Sequence, residues 1–159
     1  MPLQDAAALA ASLPLAQAMR EHPWLYPAVE TLHIVGFALL VGAVAMFDLR
    51  VLGFGRQLPV RALARHLLPW SAGSMLLVLP TGLLLFMADP AALLANRVFL
   101  LKLALIVLAG VNALAFHAGP YRGADAWDAR APGRAVLHAL LSLGLWIAVI
   151  ASGRLLAYF

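Results

Sequence analysis

Four apolar runs, each about long enough to cross a bilayer, follow one another through this chain, and each is interrupted by ionisable residues. A hydrocarbon core about 30 Å thick needs roughly 20 residues of α-helix per crossing. Inside it every backbone N–H and C=O must bond within the protein, so runs of this length fold as helices. The sequence therefore predicts an all-α fold, a four-transmembrane-helix bundle with spans at about 27–49, 63–87, 97–118 and 134–156. With 64% hydrophobic and only 11% charged residues, 1–159 reads as a single integral membrane domain.

Local punctuation sets these boundaries. Pro27 suits a helix start, where its missing N–H leaves no bond unmade. Asp48-Leu-Arg50 and Gly53-Phe-Gly55 end the first span, Asp89-Pro90 the second and Gly119-Pro120 the third. Pro69 and Pro80 lie inside the second span, the latter where a kink is expected. The polar stretch 121–133 reads as a linker. Ahead of the spans, residues 5–20 suit one short interfacial helix with Pro14 inside it, and Trp24 and Tyr26 then sit at the membrane surface. This leading segment lacks an early positive stretch and is expected to be retained rather than cleaved.

The net charge of +4 reflects where the arginines stand. Arg50, Arg56, Arg61 and Arg65 flank the first inter-helix loop and Arg122, Arg130 and Arg134 the third, against Arg20, Arg97 and Arg154 on the other side. The positive-inside rule puts the richer side in the cytoplasm and both termini outside, which in a bacterial inner membrane means the periplasm. No basic patch interleaved with aromatics is present, so nucleic acid is not an expected partner; the lipid bilayer is. Without cysteine there is no disulfide, thiolate site or covalent haem attachment, and metal chemistry falls to His, carboxylate, Met or a bound cofactor. Hydrolase, nucleotide-binding and zinc-protease motifs are absent.

Ionisable groups at membrane depth are costly unless they meet a partner or a ligand, so they form the functional shortlist. Glu30, His33 and Asp48 fall on the first span, His66 on the second, Lys102 and His117 on the third and His138 on the fourth. At about 100° per residue Glu30 and Asp48 share a face with His33 about 60° away. His138, Ser142 and Ser152 align on the fourth helix, and His66, Trp70, Gly73 and Thr81 on the second. These stripes are expected to face a shared interior. Helical rise then sorts the shortlist into an outer His33/Lys102 pair and an inner cluster of His66, His117 and His138 near Asp48. Asp48 with Arg50 reads as a helix-end ion pair or a point of proton entry, and Asn112 as an interhelical donor. Trp70 and Trp146 are packing or belt residues, or the walls of a porphyrin or quinone pocket. Met46, Met75 and Met87 lie at different depths, unlike a thioether copper ladder, and His22 before Pro23 is expected in solvent.

The strings Trp24-Leu-Tyr-Pro27, Glu30-Thr-Leu-His33 and Asp48-Leu-Arg50-Val-Leu-Gly53, with Phe99-Leu-Leu-Lys102 and Asn112-Ala-Leu-Ala-Phe-His117, resemble an uncharacterised bacterial family of four-helix integral membrane proteins. More distantly, a first-helix His with a third-helix Lys is similar to the small membrane haem-type protoporphyrinogen oxidase and to the copper-resistance membrane permease. In the oxidase family those two residues are functional, and the resemblance carries that role to His33 and Lys102.

The expected function is that of a b-type haem protein, a haem-dependent membrane oxidoreductase passing electrons between a quinone and a partner protein or small substrate. His33 is the outer axial ligand or else a structural hydrogen bond between helices, with Glu30 one turn earlier taking its other N–H or staying protonated near the membrane surface. Lys102 is a cation for a propionate, a quinone oxygen or Glu30, or a side chain that snorkels outward, and Arg97 is a further cofactor-binding residue. His117 and His138 jointly ligate iron on the inner side if a second haem is bound, with Arg122 and Arg134 beside them. The competing expectations are a copper or small-solute permease and a non-catalytic assembly subunit, and a homo-oligomer suits any of the three.

Overall fold

In a computed structural model the chain is described over residues 3–127 and 130–158. It is all-helical there, with α1 (Leu3–Ser12), α2 (Pro14–Glu21), α3 (Leu25–Val51), α4 (Val60–Ala88), α5 (Pro90–Ala95), α6 (Arg97–Ala118), a 3-10 segment (Pro120–Ala126) and α7 (Gly133–Leu155). Four of these, α3, α4, α6 and α7, are long and apolar enough to span a membrane, so the protein is a multi-pass membrane protein.

The expected N-terminal helix is split in two. A proline inside a helix loses a hydrogen bond and clashes with the preceding turn, whereas at the first position it does neither. Leu13 is accordingly extended, and Pro14 opens α2. Pro27 falls in the first turn of α3, which starts at Leu25, still among the amides that have no partner within the helix. Asp89-Pro90 ends α4 and also starts α5, with the Asp89 carboxylate accepting from Ala92 N at 3.1 Å. Asn96 caps α6 by accepting from Val98 N and Phe99 N at 2.8 and 3.3 Å. α4 runs unbroken through Pro69 and Pro80.

Helix α3 packs along α4, α6 packs along α7, and the two hairpins meet where α3 crosses α7. At the loop end, Phe47 and Val51 of α3, Val60 and Ala64 of α4, Phe116 of α6 and Ala135 and Ala139 of α7 form one buried cluster. The 3-10 segment plugs this cluster with Ala124 and the adjoining Trp127, so 121–133 is not merely a linker. Arg61 fastens the plug: it ion-pairs with Asp125, donates to Arg122 O at 3.1 Å and lies over the Tyr121 ring. At the opposite end α1, α2 and α5 close over the bundle, and Arg20 donates to Ala88 O at the last turn of α4.

Candidate functional site

His33 sits on α3 at the end away from the loops, half-buried, and its place is set by α4. Its Nδ1 lies 3.0 Å from Thr81 Oγ1. The threonine hydroxyl directs its own hydrogen to Leu77 O at 2.6 Å, so towards His33 it offers a lone pair. Nδ1 is therefore the protonated nitrogen, and Nε2 is left as a bare acceptor. The next residue on α4 is Gly82, where an added Cβ would meet His33 Cε1 at 3.0 Å. Thr81-Gly82 thus holds the ring and makes room for it. The imidazole also stacks on Phe37, with centroids 6.3 Å apart, and Phe37 meets Trp146 of α7 edge-on at 5.7 Å.

Lys102 reaches inward from α6 towards α7, where Gly153 admits it: a Cβ there would stand 3.6 Å from Nζ. Lys102 and Glu30 both lie near enough to act on His33 electrostatically. Neither makes an ion pair, the one among the described residues being Arg61 with Asp125. The expectation that Glu30 takes the second N–H of His33 is corrected, because Thr81 holds it and Glu30 is exposed. Arg97 stands exposed just after the Asn96 cap.

The inner histidines do not gather. Among the described residues no group of three or more His, Asp or Glu comes together. His138 is tied to Asn112 of α6 by two bonds: Asn112 Nδ2 donates to His138 O at 3.0 Å, and Asn112 Oδ1 faces His138 Nδ1 at 2.7 Å. The first bond fixes the amide orientation, so the second needs Nδ1–H, and Nε2 is again the free nitrogen. Asn112 is the interhelical donor that the sequence suggested. His117 is exposed and turned onto its own helix, Nδ1 2.8 Å from Ala113 O, because Phe116, one position earlier, takes the buried direction. His66 and Arg134 are exposed, and so are Trp70 and Gly73, leaving Thr81 as the buried member of the α4 stripe. The α7 stripe does face inward, with Ser142 and Ser152 buried.

Asp48 and Arg50 are both buried but do not pair. Arg50 points into the α3–α4 loop, donating from Nε to Leu58 O at 2.6 Å and from a terminal nitrogen to Arg56 O at 3.2 Å. Asp48 instead stands beside Ser142 of α7, and its Oδ2 has no hydrogen-bond partner. Gly82 and Phe37 escaped the sequence reading. Their signal, a glycine one helical step from a buried hydroxyl and an aromatic one turn after the histidine, has meaning only once α3 and α4 are in contact. No protein-family profile, curated protein or solved structure matches the chain.

Proposed function

We propose that the protein is a redox subunit of a bacterial inner membrane, with both termini on the periplasmic side, holding one b-type haem through His33. On this reading it passes electrons between a quinone and a partner protein or small substrate. The observation that carries the reading is the anchored imidazole: Nδ1–H fixed on Thr81 with Nε2 free. An outer hydrogen bond to the far nitrogen is how ligating histidines are held in one tautomer and one ring orientation. A neutral imidazole nitrogen is also a common axial donor to haem iron, so the donor fits the group.

Each residue then has a defined task. Thr81 and Phe37 orient the His33 ring, and Gly82 leaves it the space to lie against α4. Lys102, without a counter-ion, is the cation for a propionate, and Arg97 at the same end of α6 is a second one. The haem itself would supply reversible one-electron chemistry.

The test is the absorption spectrum of the detergent-purified protein. A Soret band and a reducible α-band are expected, lost in His33→Ala and kept in His117→Ala and His138→Ala. A colourless wild-type protein from haem-replete cells overturns the proposal. The second reading, a copper or small-solute permease, is favoured by interior ionisable residues that lack ionic partners among the described residues, Lys102 and Asp48 among them. Uptake by haem-free proteoliposomes that is abolished in Lys102→Met would establish it.

A further inference from the structure

Among the described residues Asp48 is the one buried acid, 6% exposed, where α3 meets α7. It lies on α3 between Phe47 and Val51, both members of the apolar cluster at this end of the bundle. The polar groups at this level are already engaged or face outward. Arg50 is spent on two loop carbonyls, Arg61 on Asp125, and His138 and Asn112 on each other. On α4, Arg65 and His66 are exposed, as His117 is on α6 and Arg134 on α7. What remains beside the carboxyl is the buried hydroxyl of Ser142.

We infer that Asp48 is a proton-binding site within the bundle, a carboxylic acid seated against Ser142 at the α3–α7 crossing. A carboxylate stripped of water with no cation opposite it is among the costliest states a protein interior can hold. A bound proton removes the charge and turns one carboxyl oxygen into a donor, for which the serine oxygen is an adjacent acceptor. It also accounts for the unpartnered Oδ2, because a neutral carbonyl-type oxygen is far less penalised in apolar surroundings than an anionic one. Since Asp48 and Ser142 lie on different helices, gain or loss of this proton bears directly on how α3 packs against α7. The inference does not depend on the redox reading and uses none of the His33 residues.

Infrared spectroscopy of the full chain in lipid nanodiscs tests it. At neutral pH the wild-type protein should show the C=O stretch of a protonated carboxylic acid, shifted by exchange into deuterium oxide. The band should be lost in Asp48→Asn and retained in Glu30→Gln. Asp48→Glu keeps the acid and should move the band, which serves if the asparagine variant does not fold. Ser142→Ala should shift the band by removing the neighbouring acceptor. A wild-type spectrum with carboxylate bands alone, or an acid band that survives Asp48→Asn or vanishes in Glu30→Gln, overturns the inference. An unshifted band in Ser142→Ala overturns the assignment of Ser142.

Discussion

At the loop end of the bundle Phe47, Phe116, Tyr121 and Trp127 interlock, Phe116 alone lying within 6.3 Å of His117, His138, Tyr121, Trp127 and Phe47. At the other end α4 and α6 meet through a stacked pair, Phe86 on Phe99, with centroids 5.9 Å apart. The first end spends its aromatic residues on joining four helices and a plug. At the second, Phe86–Phe99 and the run His33–Phe37–Trp146 join helices two at a time, and it is there that a histidine and a lysine are held with no hydrogen-bond partner for Nε2 or Nζ among the described residues. Membrane helices associate through close packing and polar contacts rather than through expulsion of water, so dense packing marks where the fold is secured.

The largest effect that would break this contrast is expected at Phe116. Phe116→Ala should lower the stability of the detergent-solubilised protein by about 3–5 kcal/mol, the usual range for emptying a buried aromatic site. Phe99→Ala should cost only about 1 kcal/mol, the worth of one aromatic pair. Thermal unfolding of the two variants side by side decides it, and equal losses would remove the distinction between the ends. Next in size is Gly82→Ala, expected to cost roughly 1–3 kcal/mol because the new methyl overpacks against the imidazole. Gly153→Ala, whose methyl meets Lys102 Nζ only at ordinary contact distance, should be tolerated in the same melting experiment.

Thr81→Val and Asn112→Leu sharpen the comparison further. Each removes the acceptor from a histidine Nδ1–H, and each should cost about 1–2 kcal/mol for the stranded donor. Nitrogen-15 shifts of the imidazoles should report the Nδ1–H tautomer for both His33 and His138 in the wild-type protein, with each variant disturbing its own histidine alone. The smallest effect is expected at the exposed tie: Arg61→Ala or Asp125→Ala should change stability by less than about 1 kcal/mol, read from the same unfolding curves.

The spans were legible because a bilayer leaves the backbone so little choice: the helices begin and end within three residues of the expected bounds. Pro14 was legible as a residue but not as a break, since the apolar run continues across it and only the extended Leu13 reveals the new first turn. Depth along the helices placed His33 and Lys102 at one end and His138 at the other. Rotation about the helix axis was harder. The stripe of His66, Trp70, Gly73 and Thr81 is a correct statement about one helix, yet α4 touches α3 only over part of its circumference, and the first three members face outward. His117 and His138 share a depth but not a direction, because Phe116 occupies the inward position on α6. The Asp48–Arg50 pairing failed for a related reason: residues two apart on a helix point to different sides, and Arg50 found loop carbonyls first.

The α3–α4 boundary is stitched by His33 and Thr81, and the α6–α7 boundary by Asn112 and His138, whereas among the described residues no hydrogen bond joins α4 to α6. Ring lies on ring at that boundary, and two flat faces can slide or part without stranding a donor in oil. Among the described residues, a displacement of α4 against α6 therefore breaks no hydrogen bond between them.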